Sequence, residues 1–304
     1  MTEDLIGAIE AGGTKFVLAL ARSDGTIIAR DRLSTKTASG TLPQVATFFR
    51  SGAEQHGRIG GFGIATFGPV DIDPASSRYG TITTSTKPGW SGARYQDALA
   101  EFDAPVVIDT DVNGAALGEC LAGAGRALAT VAYTTVGTGI GTGVIRAGRP
   151  LGGFTHFEAG HIRVPRDPVR DPFPGNCPYH GDCVEGLASG RAIAARFGQS
   201  LDALADRVEA VDLIAGYLAD LSAALVLLHA PDRLIFGGGV MNTPGLLAAL
   251  RQQTEAKLAG YIVHPRLDPG LRSYIVAPEL GEAAGITGAV ELGRQAIAES
   301  STAA

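Results

Sequence analysis

Residues 5–20 read Leu-Ile-Gly-Ala-Ile-Glu-Ala-Gly-Gly-Thr-Lys-Phe-Val-Leu-Ala-Leu. Two apolar runs, Leu5–Ile9 and Phe16–Leu20, flank the turn Glu10–Lys15, the pattern of a strand, a tight turn and a returning strand. The same order recurs at Val131–Thr135, Val136-Gly-Thr-Gly-Ile-Gly-Thr-Gly143 and Val144-Ile145, which points to an internal duplication. Outward from the first hairpin, Ile27–Leu33 reads as a strand, and Leu42, Val45, Phe48 and Phe49 give residues 42–56 a helical period. Gly61–Ala65 and Pro105–Asp109 are further strands, separated by a turn-rich stretch at 70–104, and a small-residue helix runs to about Gly123. In the second half, residues 186–230 are helical by period and Arg233–Phe236 is a strand that ends in Gly237-Gly-Gly239. Helical patterns at 244–259 and 281–299 enclose a strand near Tyr274–Val276. Strands alternating with helices in both halves make the fold class α/β.

The chain has 304 residues, enough for two domains or one large one, and a net charge of −6. That charge, with no block of Lys or Arg, argues against nucleic acid or an anionic membrane as partner. No uninterrupted apolar run reaches the ~18–20 residues of a membrane span. The N-terminus lacks the basic and apolar regions of a signal peptide. Three cysteines, an odd number, do not make a disulfide framework. The expectation is a soluble cytoplasmic protein.

Glycine is the outlier, at 42 residues, about twice its ordinary share of ~7 %. Part of the excess sits in three turns: Glu10–Lys15, Gly137–Gly143 and Gly237–Gly239. Glycine lets a backbone approach a ligand closely, and successive free N–H groups make anion-binding concavities. Thr14, Thr138 and Thr142 add hydroxyls, and Lys15 adds a charge suited to phosphate. Neither a P-loop nor a dinucleotide-binding fingerprint is present. Any one turn could be an ordinary hairpin, but three of them favour nucleotide phosphates, with Gly12, Gly13, Thr14, Lys15, Thr138, Gly139, Gly237, Gly238 and Gly239 as the candidate contacts.

A second cluster lies in residues 156–185. His156-Phe-Glu-Ala-Gly-His161 precedes a proline-rich stretch and then Cys177-Pro-Tyr-His-Gly-Asp-Cys183, a C-x2-H-x2-C spacing. Prolines 165, 168, 172, 174 and 178 exclude helix and central strand, so a metal would organise the segment. Two thiolates and two imidazoles suit a closed, structural, tetrahedral Zn2+. Cys177, His180 and Cys183 supply three ligands and His161 the fourth, with His156 as the alternative. A Cys177–Cys183 disulfide is out of keeping with a cytosolic chain. Cys120, among small residues, reads as a plain buried thiol.

Asp109 and Asp111 end an apolar strand at a strand-to-helix switch, where α/β proteins place their sites. A phosphoryl transferase needs a carboxylate within reach of the attacking hydroxyl. Asp111 could serve so, or cap the helix with Asn113 as its competitor. Glu158 and Glu185 flank the cysteine loop, and Glu10 lies between an apolar strand and the first Gly turn; each is a solvated charge or part of a site.

Together these residues resemble the ROK family of sugar kinases and repressors, from Ile9 to about Gly293. Glu10-Ala-Gly-Gly-Thr-Lys15 looks like the family's first phosphate loop, Val136–Gly143 like the second, and Ile235-Phe-Gly-Gly-Gly-Val240 like its adenosine segment. The C-x2-H-x2-C form is similar to bacterial ROK fructokinases. So are Thr66-Phe-Gly-Pro-Val70, Thr86-Lys-Pro-Gly-Trp90 and Asp109-Thr-Asp-Val-Asn-Gly-Ala-Ala-Leu-Gly-Glu119. The resemblance implies an actin-like ATPase fold of two domains on ribonuclease-H-like sheets, with a cleft for sugar and ATP between them. It implies an N-terminal domain of residues 1–112, with the C-terminal helix in 281–304 packing back on it. A C-terminal domain of residues 113–280 would carry the zinc loop 156–185. Asp111 would be the general base. Glu158, His161, Glu185, Gly68 and Thr110 would bind the sugar, and His161 would also bind structural Zn2+ with Cys177, His180 and Cys183. ATP with Mg2+ and a hexose would be the small-molecule partners, and the assembly a homodimer. Thr110, where ROK glucokinases carry Asn, and His180, where they usually carry Cys, favour fructose over glucose; mannose and N-acetylhexosamines are the alternatives. A repressor would need an added N-terminal helix-turn-helix domain, and the first strand already begins at Leu5.

Overall fold

The computed structural model describes residues 4–85 and 87–303. In chain order its elements are β1 (Leu5–Ala11), β2 (Lys15–Ala21), β3 (Ile27–Ser34), α1 (Ala38–His56), β4 (Ile59–Thr66), α2 (Tyr95–Leu99), β5 (Val106–Thr110) and α3 (Asp111–Ala122). There follow β6 (Thr130–Val136), β7 (Ile140–Arg146), β8 (Arg149–Pro150), α4 (Val184–Ala188), α5 (Gly190–Phe197) and α6 (Val208–His229). The last are β9 (Arg233–Gly237), α7 (Leu246–Leu258), β10 (Ile275–Val276) and α8 (Ala284–Ala303).

The strands form two five-stranded sheets, ordered β3-β2-β1-β4-β5 and β10-β9-β6-β7-β8. Read from the other edge, the second is β8-β7-β6-β9-β10, the order of the first. In each, the opening hairpin is antiparallel (β1/β2, β6/β7) and the later strands join in parallel (β1/β4/β5, β6/β9/β10). The duplication read from the two Gly-turn hairpins therefore extends to whole sheets, and the fold is that of the actin-like ATPases.

Packing divides the chain into two compact units. The first comprises the residues up to Leu121, Pro150–His156 and those from Glu282 onward; the second comprises Ala122–Arg149 and Phe157–Gly281. Against the expected division between 112 and 113, nearly all of α3 stays with the first sheet, and the short segment Pro150–His156 returns to it.

In the first unit, alternation along the strands sends Leu5, Ile9, Phe16, Leu18 and Ile64 to one face, where Val45, Phe49, Trp90 and Tyr95 cover them. Phe49 meets Phe62 edge-on at 5.0 Å, and Phe16 stacks on Trp90 at 5.4 Å. Ile6, Ala8, Val17, Ala19 and Ala65 form the other face, covered by Ile286, Ala289 and Val290 of α8. This second face explains a further part of the glycine excess. A side chain at Gly63 of β4 would run into the backbone oxygen of Ala289, and one at Gly118 of α3 into that of Ala284, so glycine lets α8 close against both the sheet and α3.

In the second unit, the stretch 186–230 divides into separate helices. Gly198 takes a left-handed conformation (φ 75°) that ends α5, and Ser189 caps its start by accepting from Ala192 N–H. Helix α6 is long and apolar enough by composition to cross a bilayer, yet 61 % of that stretch is buried inside the protein, as suits a core helix.

Candidate active site and metal centre

The first Gly turn joins β1 to β2. Gly12 N–H donates to Lys15 O at 2.9 Å, and Thr35 pins the turn from β3's end, donating its hydroxyl to Gly12 O (2.8 Å) and its N–H to Thr14 O (3.0 Å). Gly13 and Thr14 are exposed at its tip. Lys15, expected to offer a charge to phosphate, is paired with Glu282 at 3.1 Å, and Arg32 meets the same carboxylate at 3.2 Å. Glu10, one residue from the end of β1, is largely buried, and its Oε2 has no hydrogen-bond partner among the described residues. Burial, chiefly, raises its pKa; Asp111 and Glu282 raise it further, while Lys15 and Arg30 pull it down.

Asp111 opens α3 where β5 ends. The helix is capped by Thr110, whose Oγ1 accepts the Asn113 N–H at 3.1 Å. The expected sugar contact Thr110 is thus buried as the cap, and Asp111 stands at the first helical position with Oδ1 accepting Val112 N–H at 2.9 Å. Beneath it, Asp109 accepts from Asn113 Nδ2 (2.6 Å) and Thr110 N–H (2.7 Å). Burial raises Asp109's pKa against the opposing pull of these two bonds and of His156. Gly68 follows β4, in the same unit, with His156 beside it.

The second unit holds the other candidates. The Gly137–Gly139 turn ends β6, and Gly237 pairs with Thr135 across β6 and β9, so the second and third Gly turns lie side by side. Gly238 has φ 92° and packs against Val136, where a side chain would collide. Thr138 and Gly239 are exposed on these turns. Glu185, at the start of α4, accepts Ile140 N–H at 2.9 Å and approaches Arg191 at 3.6 Å. Its carboxylate therefore braces the second turn.

His161, Cys177, His180 and Cys183 bring one donor atom each to a common point, all four within 4.8 Å of one another. His161 Nδ1 lies 3.6 Å from Cys177 Sγ and 3.5 Å from Cys183 Sγ, and His180 Nδ1 lies 3.7 Å from Cys177 Sγ. With Zn–S of about 2.3 Å and Zn–N of about 2.0–2.1 Å, a tetrahedron has S–N edges of about 3.6 Å. The donor set thus fits Zn2+ in kind and spacing. The fourth member is His161; His156 is buried in the first unit. Cys177 and Gly181 exchange backbone hydrogen bonds (3.1 and 2.9 Å), forming the hairpin that presents three of the donors. Burial first, then Cys177, push the Cys183 thiol up to about 11; a bound cation reverses that by deprotonating the thiol.

A second device holds the proline-rich stretch. Asp171 takes two bonds from Arg196 (3.2 and 2.9 Å) and one from the Tyr217 hydroxyl (2.7 Å), and Arg166 donates to Asp171 O at 2.9 Å. The two charged side chains are only 3 % and 7 % exposed. Asp171 and Arg196 stand on separate segments, so no local pattern in the sequence signals this ion pair beside the metal expected there.

The ROK family model matches residues 6–296. A fructokinase of Zymomonas mobilis is 43 % identical over 95 % of this chain and 96 % of its own. Among solved structures, a ROK hexokinase from Thermus thermophilus superposes with a TM-score of 0.80 at 26 % identity, covering 97 % of this chain and 99 % of that one. A ROK glucokinase from Streptomyces griseus, in complex with glucose and AMPPNP, gives 0.69 at 26 % identity, covering 96 % and 99 %.

Proposed function

The chain belongs to the ROK family, and on that footing we propose that it is an ATP-dependent fructokinase. It transfers the γ-phosphoryl group of ATP to a hydroxyl of fructose, giving fructose 6-phosphate and ADP. The observation that carries fructose over glucose is the 43 % identity to a fructokinase over 95 % of the chain, against 26 % to a glucokinase.

Asp111, at the head of α3, takes the proton of the attacking sugar hydroxyl as its oxygen bonds to phosphorus and the β,γ-bridge breaks. Glu158, His161, Glu185, Gly68 and Thr110 make up the sugar side of the site, Gly68 and Thr110 through their backbones. Gly12, Gly13, Thr14, Thr138, Gly139 and Gly237–Gly239 take the nucleotide. Glu10, a buried carboxylate with an unsatisfied oxygen beside the first turn, would hold Mg2+ through water, and the ion would supply neutralising charge for the β- and γ-phosphates. Zn2+ on His161, Cys177, His180 and Cys183 is structural. The active form is a cytoplasmic homodimer.

The test is ADP release with Mg-ATP across fructose, mannose, glucose, N-acetylglucosamine and N-acetylmannosamine. Highest kcat/KM on fructose is expected. A preference for another hexose overturns the substrate while keeping the reaction, and no ADP from any sugar, in folded protein, overturns the kinase.

A further inference from the structure

Lys87 stands in the segment Lys87-Pro-Gly-Trp90, between β4 and α2, far in sequence from the first Gly turn. In the folded unit its Nζ donates to Gly13 O at 2.8 Å and lies 5.0 Å from the centre of the Phe67 ring. A side chain at position 13 would place Cβ 2.6 Å from that ammonium, so glycine there admits the lysine as well as any ligand. The base of the segment is anchored: Trp90 is fully buried, donates Nε1–H to Lys36 O at 2.7 Å and stacks on Phe16, the residue next to Lys15.

The two lysines at this turn differ in their partners. Lys15 is neutralised by Glu282. Lys87 has no carboxylate partner among the described residues; a carbonyl and a π face hold its charge in place without cancelling it. An ammonium has three N–H donors. One goes to Gly13 O, and two are left for an anion on the exposed tip of the turn.

We propose that Lys87 is a catalytic residue, a γ-phosphate clamp that donates to the non-bridging oxygens of the transferring phosphoryl group. This rests on the kinase reading of the site. As the bond to the leaving ADP oxygen breaks and the bond to the sugar oxygen forms, negative charge spreads over those oxygens, and a fixed ammonium stabilises it without giving up a proton. Lys15, tied to Glu282, serves the framework of the turn.

The experiment compares wild type, Lys87→Met and Lys87→Arg in two measurements: calorimetric affinity for AMPPNP and for ADP, both with Mg2+, and steady-state kinetics on fructose. For Lys87→Met we expect AMPPNP to bind roughly 10-fold more weakly while ADP stays within twofold. Removing one such donor should also cost roughly 10²-fold in kcat, with the fructose KM within threefold and partial rescue by Lys87→Arg. Equal losses for AMPPNP and ADP, a raised fructose KM with unchanged kcat, or a lowered melting temperature that accounts for the loss would each overturn the proposal. So would unchanged affinities with kcat within threefold. If wild type fails to phosphorylate fructose, the substrate reading falls, and the AMPPNP-to-ADP ratio still decides the role of Lys87.

Discussion

His161 Nε2 stands 4.0 Å from Glu158 Oε2, while Nδ1 of the same ring faces the two cysteine sulfurs. One imidazole thus joins the donor cluster to a carboxylate proposed to hold the sugar. A metal on Nδ1 fixes the tautomer, leaving Nε2–H to be directed at an acceptor. On the proposed function, zinc bound here would orient the sugar side of the site without touching phosphate.

Purified protein should contain one zinc per chain by elemental analysis. Stripping it with a strong chelator, or making Cys177→Ser, should raise the fructose KM by roughly 10-fold or more, with a smaller effect on the KM for ATP. Unchanged fructose kinetics in metal-free protein would remove zinc from the sugar site.

Asp111→Asn keeps the shape of the α3 terminus and removes the base. The expected loss in kcat is roughly 10²–10⁴-fold, with sugar binding still measurable by calorimetry. A kcat within tenfold of wild type would rule out the general-base role.

Glu10 carries a stability cost for its position. Its pKa is raised, so folding favours its protonated form: the stability it contributes is fully present below the unfolded value of about 4.3 and is lost as pH rises through the folded value. At neutral pH the buried carboxylate therefore opposes folding. Glu10→Gln should raise the melting temperature by a few degrees at pH 7 without Mg-ATP, show no gain near pH 4, and lose most activity. A lower melting temperature at pH 7 would contradict this account.

The buried Asp171–Arg196 pair has the opposite sign. Burial raises the Asp171 pKa, but the Tyr217 hydroxyl and the Arg196 guanidinium outweigh it, and the net shift is downward. Its stabilisation is present above the unfolded value of about 3.9 and is lost as pH falls through the folded one. Asp171→Asn leaves Arg196 buried without its counter-charge, at a cost of about 3–5 kcal/mol. Denaturant titrations should show that deficit at pH 7 and a flatter loss of stability below pH ~4. Equal stability of the two proteins would mean the pair is dispensable.

The hairpins of β1–β2 and β6–β7 were legible because alternation and Gly turns are local signals, and the C-x2-H-x2-C spacing announced three of the four metal donors in the same way. His161 lies outside that spacing, and it is the fold that separates it from the alternative, His156, which falls in the other unit. The glycines were read as turn residues; those facing α8 act through a contact more than a hundred residues away, for which no local pattern exists. Lys15 as the partner of Glu282 and Lys87 at Gly13 depend likewise on which distant segments meet, whereas Thr110 as the cap of α3 is a local contact, its partner Asn113 standing three residues on. Thr86, quoted with the Lys87 motif, lies outside the described residues.

The threading of the first unit has a consequence for how the protein is made. One face of its sheet, lined by Ile6, Ala8 and Ala65, is covered by α8, the last helix of the chain. During vectorial synthesis that face leaves the ribosome early and stays uncovered while the entire second unit is translated. The nascent chain must carry an apolar surface through most of its elongation time, a natural substrate for holdase chaperones. A chain truncated before Ala284 would keep that surface for good and meet the quality-control machinery instead of its substrate.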